Sequence, residues 1–328
     1  MFDAEPLHDG DPALVALIER LELAVVGQRT LLERLVVALL AGGHVLIEGV
    51  PGLAKTRAVR ALAHTLALPF RRIQFTPDLL PADLTGTQVY RPSTGTFDAH
   101  PGPIVTSVLL ADEINRAPAK VQSALLEAMQ EGQVTIGAET IRLPDPFFVL
   151  ATQNPIEHEG TYPLPEAQLD RFLMKLIVPY PDRASELAMI DLPGVSDRSD
   201  PGPLADAPLF SPGEVQALRD RASNVRVAPA IKEYIVDLIR ATRDPKAAGL
   251  DLAPLIELGA SPRATLALVR AAQAHALLWG RDYVTPHDVK ALARDVLRHR
   301  VVVSYEADAE GLSADDILKR ILNQLRVP

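Results

Sequence analysis

Residues 49 to 56 read Gly49-Val50-Pro51-Gly52-Leu53-Ala54-Lys55-Thr56, and this octet decides the fold. It follows the short apolar run His44-Val45-Leu46-Ile47-Glu48 and precedes an alanine-rich segment at 57–68. A glycine-bearing loop between a buried strand and a helix is the setting of a phosphate-binding loop. Backbone N–H groups of such a loop curl around a phosphate, and the following helix points its positive end at the same place. Gly49, Pro51, Gly52, Leu53 and Ala54 form the cradle. Lys55 adds a charge for the β- and γ-phosphates, and Thr56 adds a hydroxyl for Mg²⁺. Ala54 stands where a second glycine is usual, and alanine is tolerated there if its φ is negative. The alternative is an ordinary strand-to-helix turn with a chance Lys-Thr.

Working outward, short apolar runs at 45–48, 72–75, 108–112, 147–152 and 174–179 read as strands buried on both faces. Helical segments intervene, notably 119–131. This alternation predicts an α/β fold, a parallel five-stranded sheet with flanking helices. Two amphipathic helices, at 12–23 and 30–40, precede the first strand, with Val25-Val26-Gly27-Gln28 between them. Two inserts interrupt the alternation, near 86–103 and 133–144, and read as hairpins; ordinary surface loops are the alternative. Proline, glycine, aspartate and serine then become frequent, and 192–209 is the best linker candidate. Beyond it everything reads as helix. Ser211-Pro212-Gly213-Glu214 has the N-cap, N1 proline and N3 glutamate of a helix start, and Thr285-Pro286-His287-Asp288 is similar. The expected division is an α/β domain at 1–191 and a small all-helical domain at 210–328.

Composition excludes several classes. The 328 residues are 48% hydrophobic and 23% charged, ordinary for a globular chain. There is no run of 18 apolar residues, so no membrane span is expected. The N-terminus, Met-Phe-Asp-Ala-Glu-Pro, lacks the pattern of a secretory signal. With no cysteine there is no disulfide, thiolate zinc site or cysteine nucleophile. A cytoplasmic location is the expectation. The net charge of −9 argues against a nucleic-acid partner.

Five further positions carry chemistry. The apolar strand at 108–112 ends in Asp112-Glu113. Carboxylates at that end of a strand sit beside the phosphate loop, where open α/β sheets bind ligands. Asp112 would help to hold Mg²⁺, and Glu113 would orient or deprotonate an attacking water. The strand at 147–152 ends at Gln153-Asn154-Pro155, and Asn154 could hydrogen-bond the γ-phosphate or that water; a turn-forming Asn before Pro is the alternative. Arg171, in Leu169-Asp170-Arg171-Phe172, could stabilise charge on a transferred phosphoryl group. Arg263 follows Ser261-Pro262 in the first turn of a helix, unfavourably placed for the helix dipole, which suggests a reach to a phosphate across the domain interface. The histidines are scattered without metal-ligand spacing, and Trp279 reads as a packing residue.

Taken in order, Val26-Gly27-Gln28, the octet 49–56, Leu110-Ala111-Asp112-Glu113-Ile114-Asn115-Arg116-Ala117, Ala151-Thr152-Gln153-Asn154-Pro155 and Gly160-Thr161-Tyr162-Pro163-Leu164-Pro165-Glu166-Ala167-Gln168-Leu169-Asp170-Arg171-Phe172 resemble the MoxR family of AAA+ ATPases. The resemblance runs from about residue 13 to the end. It implies a P-loop AAA+ module with a helical lid, binding ATP and Mg²⁺ and hydrolysing ATP. It implies that Asn154 is the sensor 1 residue, Arg171 an arginine finger given to a neighbouring subunit, and Arg263 the sensor 2 residue of the lid. Val26 and Gly27 would line the adenine pocket, and the two hairpins would face the pore of a ring. It further implies a homo-oligomer, hexameric, acting as a chaperone on a protein client beside a partner with a von Willebrand factor A domain. Three alternatives stand beside this: a nucleic-acid-stimulated motor, a magnesium-chelatase-like subunit, and a nucleotide-sensing scaffold with little turnover.

Overall fold

The computed structural model describes residues 10–49, 55–154, 160–190 and 206–328. Helix α1 (Pro12–Glu22) starts on Asp11, whose carboxylate accepts from the N–H groups of Ala13 and Leu14, and α2 (Arg29–Leu40) follows. Then come β1 (Val45–Glu48), α3 (Lys55–Thr65), β2 (Phe70–Gln74) and a single-turn α4 (Pro81–Thr85). Strands β3 (Gly86–Arg91) and β4 (Thr96–Pro101) form one antiparallel hairpin. Strand β5 (Val108–Asp112) leads through a 3₁₀ turn (Ile114–Arg116) into α5 (Ala119–Glu131). A second hairpin pairs β6 (Gln133–Ile136) with β7 (Glu139–Arg142). Strand β8 (Phe148–Gln153), the short α6 (Glu166–Leu169), β9 (Met174–Ile177) and α7 (Arg183–Ile190) complete the first unit.

The sheet has the order β2-β5-β8-β1-β9, and every pair in it is parallel. Side chains alternate across the strands, so each strand feeds two cores. Val45, Ile47, Val108, Leu110, Phe148 and Leu150 pack with α1, α2 and α3. Leu46, Leu109, Ala111, Val149 and Ala151 pack with Val121, Leu125 and Leu126 of α5. Full burial of one such side chain contributes roughly 1.5–3 kcal/mol, which explains why these runs contain almost nothing polar.

Strand β2 departs from the expected two-sided burial. It is an edge strand, with Arg71, Arg72 and Gln74 exposed and Ile73 buried. An edge needs polar residues to avoid pairing with other chains, and here Arg72 also pairs with Asp112 and Gln74 bonds Glu113. The other edge, β9, is covered by the helix Pro286–Leu297 of the C-terminal unit, and Arg298 donates to the Lys175 carbonyl at 2.8 Å.

That unit contains α8 (Pro212–Ser223), α9 (Pro229–Arg243), β10 (Ile256–Leu258), α10 (Pro262–Leu278), α11 (Pro286–Leu297), β11 (Val302–Val303), α12 (Tyr305–Ala309) and α13 (Ala314–Gln324). It is helical apart from the short antiparallel β10–β11 ladder. Reciprocal capping boxes start α8 (Ser211 with Glu214), α11 (Thr285 with Asp288) and α13 (Ser313 with Asp316). Its core is continuous with the α1–α3 side of the sheet. The two hairpins touch each other: a Cβ at Gly137, where φ is +62°, would fall 2.1 Å from Gln88 Nε2. Most of the expected linker at 192–209 lies outside the described residues.

Candidate functional site

The parallel sheet has two ends, and the candidate residues divide between them. At the carboxyl ends of the strands, β1 finishes at Glu48 beside Gln153 of β8, and Gly49 N–H donates to the Gln153 carbonyl at 3.4 Å. Lys55, the first residue of α3, donates from Nζ to the Gly49 carbonyl at 2.6 Å, bridging the two ends of the loop. Val50, Pro51, Gly52, Leu53 and Ala54 lie outside the described residues. Burial lowers the pKa of Lys55, while Asp112 and Glu113 pull it back up, so its charge faces both carboxylates. Thr56 is half-buried in the first turn of α3.

One hydroxyl organises the two carboxylates. Buried Thr152 of β8 donates to Asp112 Oδ1 at 2.5 Å and accepts from the Glu113 N–H at 2.9 Å. Glu113 leaves the strand in the left-handed region, φ +56°. Non-glycine residues pay conformational strain there, and such strain gathers at functional sites. Edge strand β2 supplies the remaining partners. Arg72 Nη2 lies 2.7 Å from Asp112 Oδ2, and Gln74 Nε2 donates to Glu113 Oε2 at 2.8 Å. Arg116 Nε is 3.1 Å from the same Glu113 oxygen. Asn154 follows the Glu48–Gln153 pair directly and is buried.

The donor set suits a nucleotide with magnesium. Asp112 and Thr56 offer hard oxygens. Among the described residues no group of three or more His, Cys, Asp or Glu could hold a metal alone. A cation here would therefore take its other ligands from phosphate oxygens and water, as Mg²⁺ commonly does.

Val26 and Gly27 sit between α1 and α2. Gly27 has φ +75°, and a Cβ on it would fall 2.1 Å from Ser185 Oγ of α7, so only glycine fits. Helix α7 follows β9, whose continuation bonds back to Glu48 through Val178 N–H.

Arg171 and Arg263 lie at the opposite end. Leu173 N–H donates to the His44 carbonyl at the amino end of β1. Arg171, in the turn before β9, and Arg263, at the start of α10, line one cleft there with Gly43 and His44. Its volume is about 370 Å³. Neighbouring groups fix the arrangement. Asp170 accepts from Arg300 Nε at 2.7 Å and from Ser261 Oγ at 2.9 Å, and Ser261 is the N-cap of α10. Arg300 and His299 also bond the Phe172 carbonyl, at 2.6 Å and 3.1 Å. The Nε of Arg171 is buried without a partner among the described residues.

With that geometry in view, the comparisons with known proteins are informative. A family model described as ATPase family associated with various cellular activities (AAA) matches residues 44–174, and one for the AAA lid domain matches 250–321. "Chaperone MoxR1" of Mycobacterium tuberculosis (strain ATCC 25618 / H37Rv) is 48% identical over 337 residues, covering 99% of this chain and 88% of its own length. The chain belongs to the MoxR family of AAA+ ATPases. The "Uncharacterized protein YeaC" of Bacillus subtilis (strain 168) is also 48% identical, covering 99% of this chain and 97% of its own. "Protein MoxR" of Paracoccus denitrificans is 35% identical over 88% of each chain. A crystal structure from Cytophaga hutchinsonii superposes with a TM-score of 0.90 at 47% identity, covering 96% of this chain and 95% of that one. The MoxR assignment brings with it a nucleotide-binding, ATP-hydrolysing module and its helical lid. Among the described residues no helix is long and apolar enough to cross a membrane.

Thr152, Arg72 and Gln74 escaped sequence reasoning. Thr152 reads as one more strand residue in Phe148-Val149-Leu150-Ala151-Thr152-Gln153, although a hydroxyl in an otherwise apolar buried run was a signal. Arg72 and Gln74 acquire meaning only once β2 is known to lie beside β5.

Proposed function

We propose that this MoxR-family chain is a chaperone-like ATPase of the cytoplasm whose catalytic sites form between adjacent copies of itself in a ring, a hexamer by family resemblance. Each copy holds Mg-ATP with Lys55, Thr56, Asp112 and the loop at 49–54, with adenine against Val26 and Gly27. Glu113 orients and deprotonates the attacking water, and Asn154 holds the γ-phosphate or that water. Arg171 and Arg263 act on the nucleotide of the neighbouring copy.

A bound divalent cation would neutralise phosphate charge, with Thr56 and Asp112 as its protein ligands. The protein's own residues do the rest. Gln74 and Arg116 hold the Glu113 carboxylate, and Thr152 fixes its backbone, so the base is oriented before substrate arrives. Arg72 occupies an oxygen of Asp112 that a cation would take, and binding would displace it. Loss of the γ-phosphate would release Arg263, shift α10, and pull on the hairpins through α5, whose C-terminal carbonyl at Met129 contacts His44 in the arginine cleft. The work is done on a protein client, beside a partner with a von Willebrand factor A domain.

One observation carries the reading: Arg171 and Arg263 share a cleft at the amino ends of the strands, whereas Lys55, Asp112 and Glu113 converge at the carboxyl ends. A copy cannot present these arginines to its own phosphates. The test is steady-state ATPase against protein concentration: turnover per subunit should collapse on dilution below the assembly range. Constant turnover in a preparation shown to be monomeric would refute the reading.

A further inference from the structure

The arginine cleft holds more positive charge than Arg171 and Arg263 supply. Its wall along α10 is built by Arg263, Leu266, Ala267 and Arg270. Those positions follow the i, i+3, i+4, i+7 spacing, so they form one stripe on one face of the helix. Arg270 stands two turns, roughly 10 Å, beyond Arg263. Its guanidinium makes no hydrogen bond or ion pair with any described residue, and neither does that of Arg263. The single carboxylate lining the cleft, Asp170, has both oxygens committed to Arg300 and Ser261. Arg300 is itself consumed by Asp170 and by backbone carbonyls of 172, 173 and 296. Arg171, Arg263 and Arg270 therefore line one open space, and none of the three forms an ion pair with a carboxylate among the described residues. Burial is the main cause that lowers the pKa of Arg300 and of His44, and the nearby like charges add to it: Arg270 and Arg263 at Arg300, and Arg270 at His44. Uncompensated cations around a shared cleft are costly unless an anion arrives. The cleft is large enough for phosphate groups. Between the two helix arginines, Leu266 is 65% exposed on the same wall.

We infer that Arg270 is a third cation donated across the subunit boundary, binding the phosphates of the neighbouring copy's nucleotide together with Arg171 and Arg263. This inference rests on the intersubunit reading above. Arg270 stands two turns along α10 from Arg263 and so meets a different part of the phosphate chain.

The test is complementation. Arg270→Ala keeps its own phosphate loop and lacks the donated cation; Glu113→Gln lacks hydrolysis in its own site and keeps the donated cation. Arg270→Ala alone should turn over about 10- to 100-fold more slowly than wild type, the worth of a charge-assisted contact or two. An equimolar mixture with Glu113→Gln should exceed the sum of the separate rates several-fold, as should a parallel mixture of Arg171→Ala with Glu113→Gln. Arg270→Gln, which keeps most of the stem, replaces the alanine variant if that does not assemble. Wild-type turnover by Arg270→Ala overturns the inference. So does a low rate that mixing fails to raise while the Arg171→Ala mixture recovers, and that result leaves the intersubunit reading intact. Failure of both mixtures overturns that reading and Arg270 with it.

Discussion

Arg171 and Lys55 stand at opposite ends of strand β1. Arg171 lies beside the His44 carbonyl, which Leu173 bonds, and Lys55 bonds the Gly49 carbonyl. Five residues of extended chain separate those carbonyls, roughly 16 Å. No arginine side chain spans that distance, so within one chain the two cations cannot share a phosphate.

Replacement of Arg171 by alanine should therefore damage turnover and spare binding. ATPase should fall about 10³-fold or more, the usual worth of an arginine finger. Affinity of dilute, unassembled protein for a fluorescent ATP analogue should stay within a factor of two of wild type. Undiminished turnover would remove Arg171 from the site.

Thr152→Val keeps the shape of the side chain and deletes the hydroxyl that serves both Asp112 and Glu113. It leaves the Glu113 N–H and one Asp112 oxygen unanswered in a half-buried setting. We expect a loss of about 1–3 kcal/mol in stability and a kcat reduced roughly tenfold or more. Thermal unfolding and steady-state kinetics together check this; an unchanged kcat would mean that the hydroxyl only packs.

Arg72→Ala should make magnesium bind more easily. Arg72 competes for Asp112 Oδ2 from an exposed position on the edge strand. An exposed pair contributes up to about 1 kcal/mol, so the Mg²⁺ concentration for half-maximal ATPase should fall by up to about fivefold. A rise instead would assign Arg72 to substrate binding.

Acid should destabilise the fold through His44. Its Nδ1 accepts from the Val149 N–H at 3.1 Å, so the proton sits on Nε2 and donates to the Met129 carbonyl at 3.1 Å. Burial lowers its pKa to about 4. The unfolded chain, with an ordinary histidine near 6.5, then binds more protons than the folded one between those values. Stability from neutral His44 is complete above about pH 6.5 and declines as pH falls toward 4, by about 3 kcal/mol in all. Denaturant midpoints measured from pH 7 to pH 4.5 should fall, and His44→Gln should flatten the slope by close to one proton. An unaltered slope in the variant would mean that His44 stays accessible to protons in the folded state.

Much of this molecule was legible in its sequence because strong local signals coincided with the tertiary answer. Val45-Leu46-Ile47 and Val108-Leu109-Leu110-Ala111 are apolar throughout because central parallel strands are buried on both faces. Asp112 and Glu113 could be placed because chemistry gathers where such strands end. Burial along β2 misled, since nothing local says that Phe70–Gln74 takes an edge. Arg263 could be singled out by its disfavoured place in a helix first turn, yet only the Ser261–Asp170 bond brings it to Arg171 rather than to Lys55. Arg270 carried no signal of its own: an arginine on a helix is ordinary until the opposite wall of its cleft is known.

The central claim is that each triphosphate is held by one copy and cut with cations from the next. The most direct measurement is the ATPase of an equimolar mixture of Arg171→Ala and Glu113→Gln. Each variant alone is expected to be nearly inactive, and the mixture should be several-fold faster than their sum, because some boundaries then join an intact Glu113 to an intact Arg171. A mixture that assembles and never exceeds that sum would contradict the account.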